Sequence, residues 1–277
     1  MPESNGKLKV SAVQYLNTKP IVYGLEKELT SDRFNIESDI PSVCAKRLLH
    51  REVDLALIPS IEYSRIRRER VLSIVPDIGV VSHREVNSVE LFFNKNLSDL
   101  RKIAVDDSSR TSVALMEIVL REKYDITPVL VPMRPDLTSM LKETDAALII
   151  GDNALEQSGI MDNKLDLGDE WNDLTDGLPF VYSFWAGQKS ALTPNDVLAL
   201  IESRDLGVGH IQDIAADYTA KKPGGKPVDF YVDYLTDNIQ FYLGKDELEG
   251  LKEFYSYCYF FGIIDEIPEL FFFEGAG

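Results

Sequence analysis

Five turns in this chain gather the small hydroxyl, amide and carboxyl side chains that suit an organic anion. They are Tyr15-Leu16-Asn17-Thr18-Lys19-Pro20, Ile40-Pro41-Ser42, Ile58-Pro59-Ser60, Asp106-Asp107-Ser108-Ser109-Arg110-Thr111-Ser112 and Ile150-Gly151-Asp152-Asn153-Ala154. Each follows a short apolar run and precedes an amphipathic one, so each marks a strand end that opens a helix. At such junctions the first helical N–H groups lack partners and the helix dipole adds partial positive charge, which favours a carboxylate. The fourth turn is the richest, because its hydroxyls open the helix expected from Val113 to Lys123 and add side-chain donors to backbone ones. In the fifth, Gly151 permits close backbone approach and Asp152 can accept a hydrogen bond from a ligand hydroxyl. Plain helix capping accounts for any one of these turns alone, and Ser42 and Ser60 are natural caps. Their concurrence in both halves of the chain points to a ligand.

Other chemistries lack their residues. His50, His83 and His210 stand at no metal-ligand spacing with cysteine or carboxylates, so no metal is expected. Neither a P-loop nor a GxGxxG fingerprint is present, and Gly207-Val208-Gly209 follows helix-like sequence, so no nucleotide cofactor is expected either. GxSxG is missing too. The net charge of −17 argues against nucleic acid. The basic run Arg65-Ile66-Arg67-Arg68-Glu69-Arg70 reads as a solvated helix end. Such acidity also means that local donors, not the global field, must hold an anionic substrate.

The elements that position these turns follow from hydropathy patterning. Strands are expected at Leu8 to Val13, Phe34 to Ile40, Leu55 to Ile58 and Val71 to Val75, with helices starting near Pro20, Ser42 and Ser60. A second βα set runs through Val89 to Phe93, Ile103 to Val105, Val129 to Val131 and Ala146 to Ile150, with its own core, and Leu178 to Ala186 leads back out. Four helices then follow, Pro194 to Ser203, Ile211 to Lys221, Val228 to Leu243 and Asp246 to Phe261, and they should cover the first set. The Lys221 to Pro227 stretch reads as a simple helix-to-helix loop. The expected architecture is α/β, with lobe one from residues 1–87 plus 188–277, lobe two from 88–187, and a ligand cleft between. This is the layout of the two-lobed, type II periplasmic-binding-protein-like folds, whose clefts close by hinge motion.

The first residues show neither a basic n-region nor an apolar h-region, and no eighteen-residue apolar run occurs. Cys44 and Cys258 lie far apart, as free thiols of a reducing compartment would. A cytoplasmic protein with a small-molecule partner is expected, without nucleic acid or membrane, and with homodimerisation left open.

In their order along the chain these turns resemble the chorismate dehydratase family of the futalosine route to menaquinone. The resemblance extends through Leu55-Ala56-Leu57-Ile58-Pro59-Ser60-Ile61-Glu62-Tyr63, Val86-Asn87-Ser88-Val89, Ser108-Ser109-Arg110-Thr111-Ser112-Val113, Ile149 to Leu155 and Leu178-Pro179-Phe180-Val181-Tyr182. It implies the two-lobed binding-protein fold and a lyase that removes water from chorismate, giving 3-[(1-carboxyvinyl)oxy]benzoate, with no cofactor. By position it assigns Asn17, Ser88, Thr111 and Ser112 to the substrate carboxylates and reacting ring, with Asn17 and Ser88 as the catalytic pair, Ser42, Ser60 and Asp152 binding substrate from the cleft wall, and Gly151 substrate-binding as well. Arg110 can face solvent or a carboxylate, and both remain open. Rival readings are a non-catalytic small-anion binding protein and a histidine-dependent naphthoate synthase of the same pathway. The three histidines fall outside the matched motifs, which places the latter second.

Overall fold

The computed structural model describes residues 7–67, 71–106 and 109–275. The part of the basic run from Arg68 to Arg70, together with Asp107 and Ser108 of the fourth turn, lies outside the described residues. The first lobe alternates β1 (Leu8–Val13), α1 (Lys19–Glu26), β2 (Phe34–Asp39), α2 (Pro41–Leu49), β3 (Leu55–Pro59), α3 (Ser60–Arg67) and β4 (Leu72–Ser82), with a 3-10 turn at Leu16–Thr18. The second contains β5 (Val89–Phe93), β6 (Lys102–Asp106), α4 (Thr111–Tyr124), β7 (Val129–Met133), α5 (Leu137–Glu143), β8 (Ala146–Ile150), α6 (Gly151–Gln157), β9 (Lys164–Asp166) and α7 (Leu167–Leu174). The chain returns through β10 (Phe180–Gln188) and finishes with α8 (Pro194–Gly209), α9 (Ile211–Ala220), α10 (Val228–Asp233) and α11 (Lys245–Phe260).

The sheets run β2-β1-β3-β10-β4 and β7-β6-β8-β5-β9. In the first, β1 is parallel to β2 and β3, while β10 is antiparallel to β3 and β4. In the second, β6 is parallel to β7 and β8, while β5 is antiparallel to β8 and β9. The two lobes therefore share one plan: three parallel strands, an antiparallel strand (β10 or β5) that the chain enters directly after crossing from the other lobe, and an edge strand beside it.

β10 moves one expected boundary. Its pairing places Phe180–Gln188 in the first sheet, with Phe184 opposite Ile58 and Gly79, so the return crossing precedes Phe180 instead of falling at residue 188. Phe180, Val181, Phe184, Trp185 and Ala186 are all buried, as a strand covered on both faces requires. β4 likewise continues past Pro76, which an edge strand tolerates because the missing N–H faces no neighbour. That edge is then covered: Gln240 pairs with Val81, and Ile74 with Phe272. This pairing also explains why the helix expected from Val228 to Leu243 stops early. It ends at Asp233 in a π turn, Tyr234–Asn238, and the chain then extends along β4.

The core is not divided by lobe. One cluster of buried side chains runs from β1 and α1 through α4 to α11, and only the outer face of the second sheet holds a separate small cluster around Phe92, Leu137, Met140 and Ile149. α8 packs on α1, as the expected return over lobe one requires. The approach is so close that a Cβ at Gly207 would lie 2.0 Å from the Pro20 carbonyl oxygen. Trp171 is fully buried and meets Phe180, Phe254 and Tyr257 edge-on, in keeping with a packing role.

Candidate active site

A cavity with about 550 Å³ of empty space, part of it open to solvent, lies between the lobes. It sits at the carboxyl ends of β1, β3 and β8 and the turn after β6, where open α/β sheets bind ligands. The first lobe contributes Tyr15, Asn17, Thr18 and Ser183, and the second Ser88, Ser109, Thr111, Ser112 and Gly151. Among the described lining residues only Arg110 carries a charge, and it is exposed at the mouth.

The helix starts that meet this cavity are not closed by their own side chains. The 3-10 turn and α1, α2, α4 and α6 all lack a side-chain cap. Capping occurs instead at helices whose starts do not line the cavity: Asp136 caps α5, Asp166 caps α7, and Thr193 with Asp196 forms a capping box on α8. The expectation of Ser42 and Ser60 as caps is corrected accordingly. Ile40 occupies the cap of α2, and the Ser60 hydroxyl donates to the Val181 carbonyl at 2.8 Å.

Five of the expected site residues come together. Asn17 stands on the 3-10 turn, which is braced by Thr18 Oγ1 donating to the carbonyls of Val13 and Tyr15. Ser88 lines the cavity though fully buried, and its carbonyl accepts the Gly151 N–H at 2.7 Å. Gly151 has φ +58, and a Cβ there would lie 2.8 Å from the Tyr15 ring, so the glycine lets the two lobes meet. Thr111 Oγ1 accepts the Ile61 N–H at 3.2 Å and lies 3.4 Å from Ser60 Oγ, tying the second lobe to the first. Ser112 makes no side-chain hydrogen bond within the described protein, and its hydroxyl is left to the cavity.

Three others stand apart. Ser60 is fully buried one layer behind Thr111 and does not line the cavity. Ser42 opens onto grooves flanking the mouth. Asp152 faces one of these grooves, where it accepts the Leu16 N–H at 2.9 Å with Lys222 Nζ 3.8 Å away. Its carboxylate is thus a strut between lobes and is not aimed at a cavity ligand. Burial raises its pKa above the ordinary carboxylate value, with the Leu16 N–H pulling the other way. The 221–227 loop is more than a connector for the same reason: Lys222 also reaches Glu156, and Lys226 Nζ donates to the Ser158 carbonyl at 2.8 Å.

Sequence reasoning missed three supporting residues. Asp166 accepts the N–H groups of Val86 and Asn87 at 3.0 and 2.7 Å while capping α7, and so holds the crossing that delivers Ser88. Asn87 takes φ +56 in that clamp. Its cap position before Leu167-Gly168-Asp169-Glu170 was a usable signal. Tyr182 lines the cavity with its hydroxyl 3.0 Å from Ser82 Oγ, and Tyr234 donates to Ser88 Oγ at 2.9 Å. Burial pushes both phenols far above their ordinary pKa, with the Asp166 charge adding to the effect at Tyr182, so both stay neutral. No local pattern marks Tyr234, which lies 146 residues from its partner.

None of the histidines lines the cavity. His50 and His83 are exposed, the latter 3.0 Å from Glu247, and His210 stacks on Tyr23. Among the described residues no group of three or more His, Cys, Asp or Glu could hold a metal ion, and no helix is long and apolar enough to cross a membrane.

Fold and cleft together define a two-lobed protein of the periplasmic-binding-protein-like type, with a cavity of neutral donors between its lobes. A crystal structure of an Archaeoglobus fulgidus protein superposes with a TM-score of 0.76 at 16% identity, covering 95% of this chain and 100% of that one. The periplasmic aliphatic sulphonate binding protein SsuA of Escherichia coli superposes with a TM-score of 0.66 at 15% identity, covering 95% of each chain. Within that fold, the chain belongs to the menaquinone biosynthesis family, whose model matches residues 8–260. It is 27% identical over 264 residues to the chorismate dehydratase of Thermus thermophilus, covering 87% of this chain and 91% of that relative. The chorismate dehydratase of Campylobacter jejuni is 30% identical over 186 residues, covering 65% of this chain and 68% of that relative.

Proposed function

We propose that the protein is a carbon–oxygen lyase, a hydro-lyase that eliminates water from chorismate to give 3-[(1-carboxyvinyl)oxy]benzoate. The observation that carries the reading is a cavity lined by uncapped helix starts and neutral hydroxyl and amide groups, in a chain related to chorismate dehydratases. Chorismate is a dianion, and helix N-termini hold carboxylates without the desolvation cost of buried cations. Thr111, Ser112 and the N–H groups that open α4 serve a carboxylate, while Asn17 and Ser88 meet the ring.

The reaction removes the ring hydroxyl and the hydrogen on the neighbouring ring carbon, and aromatisation supplies most of the driving force. With no histidine in the cavity, the substrate's own enolpyruvyl carboxylate takes that proton, the C–H electron pair enters the ring as the C–O bond breaks, and the carboxylic acid so formed returns the proton to the departing hydroxyl, which leaves as water. The protein contributes positioning, and Asn17 and Ser88 stabilise the developing charge. A cytoplasmic location goes with this reading. Purified protein incubated with chorismate should consume the cyclohexadiene absorbance and yield the benzoate by mass spectrometry, and an analogue with the enolpyruvyl carboxylate turned to amide should bind without reacting. Tight chorismate binding without turnover would return the protein to the non-catalytic binding class.

A further inference from the structure

The first turn beyond α10 reaches the site from behind. Tyr234 opens the π turn, is 2% exposed and does not line the cavity, yet its phenol donates to Ser88 Oγ at 2.9 Å. With the phenol hydrogen given to Ser88, the serine oxygen has one lone pair occupied, and its own hydrogen is free for the cavity it lines.

The turn that carries the phenol is itself fixed. Ile239 N–H donates to the Tyr234 carbonyl at 3.3 Å, Asn238 Nδ2 to the Glu85 carbonyl at 3.0 Å, and Gln240 pairs with Val81 in both directions. π turns recur where a helix must place one side chain at a functional site. We propose that Tyr234 is a positioning residue for the reaction in this cavity, holding Ser88 as a hydrogen donor toward substrate. This rests on the elimination reading above and adds to it a contribution from the C-terminal helices.

Tyr234→Phe keeps the ring and removes only the hydroxyl, and it should lower kcat on chorismate by about 10- to 100-fold while KM changes less than about threefold. In a Ser88→Ala background the same substitution should cost at least about fivefold less, because its partner is already gone. A crystal structure of Tyr234→Phe should show the Ser88 side chain in a new rotamer, and this readout holds whether or not chorismate is the substrate. Failure of the wild-type protein to turn over chorismate would overturn the elimination reading; the Ser88 rotamer would then decide the role of Tyr234. Lowered stability with unchanged kcat, equal losses in both backgrounds, or an unmoved Ser88 side chain would each overturn the positioning role and leave Tyr234 a structural tie.

Discussion

Thr111 and Ser112 are adjacent hydroxyls at one helix start, and the structure separates what each does. Ser112 Oγ has no side-chain hydrogen bond within the described protein, whereas Thr111 Oγ1 is the acceptor of the buried Ile61 N–H at 3.2 Å. On the proposed reading, Ser112→Ala should therefore remove a bond to ligand and none within the described protein. A hydrogen bond to a charged group is worth about 1.5–3 kcal/mol, so carboxylate affinity should fall by roughly 10- to 150-fold. Stability in the absence of ligand should change by less than about 0.5 kcal/mol. Thr111→Ala should show a similar loss of affinity together with about 1–3 kcal/mol of lost stability, because Ile61 N–H is left buried and unpaired. Thr111→Ser keeps the hydroxyl and should recover most of both. Calorimetric titration with the benzoate product and urea unfolding of the free protein measure the two quantities separately. If Ser112→Ala binds like wild type, or if the two alanine variants lose the same stability, the assignment of a ligand-facing and a lobe-tying hydroxyl is wrong.

Three further outcomes are expected. Asn17→Ala should lower kcat on chorismate by more than it raises KM, since its interaction strengthens as charge develops; steady-state kinetics giving only a KM effect would make it a ground-state binder. Alanine at His50, His83 or His210 should leave turnover within about threefold, as none lines the cavity, and a folded, chorismate-binding but inactive variant would favour a histidine base. For Asp152, burial raises the folded-state pKa above the ordinary 3.8. Between the unfolded and folded values the native protein binds the extra proton, so wild-type stability should fall as pH rises through that window, relative to Asp152→Asn, which keeps an acceptor for Leu16 N–H. Parallel stability curves from pH 4 to 7 would contradict the shift.

Local signals made much of this legible from sequence. Strand ends, helix starts and the lobed order follow from hydropathy and turn residues, and Asn17, Ser88, Thr111, Ser112 and Gly151 do meet at one cavity. What failed was non-local. The pairing of β10 between β3 and β4 depends on partners about 100 to 130 residues away, and no periodicity in Phe180–Gln188 says which sheet receives it. A helical pattern from Val228 continues past Asp233, but pairing along the β4 edge overrides it. Ser60 and Asp152 sit at the right turns, yet the Val181 carbonyl and the Leu16 N–H compete for their side chains. Turn chemistry names candidates, and only tertiary partners show which of them remain free for a ligand.

The pattern of those partners suggests how a binding fold is made to position a reaction. Three of the donors expected to meet substrate, or the turns that carry them, are braced from elsewhere in the molecule. Thr111 of the second lobe is tied to Ile61 of the first, the turn carrying Asn17 is held by Asp152 across the cleft, and Ser88 at the crossing is fixed by Tyr234 from the C-terminal helices. Two of these ties, Thr111 to Ile61 and Asp152 to Leu16, join groups of different lobes, so the placing of those two turns depends on how the lobes sit against each other. Donors held in place ahead of the ligand spare the cost of ordering them when it binds. With a net charge of −17, local donors at the helix starts, with Arg110 at the mouth, are what can hold an anion. On the proposed reading, binding strength and reaction geometry draw on one set of neutral dipoles, two of whose turns are tied by contacts between the lobes.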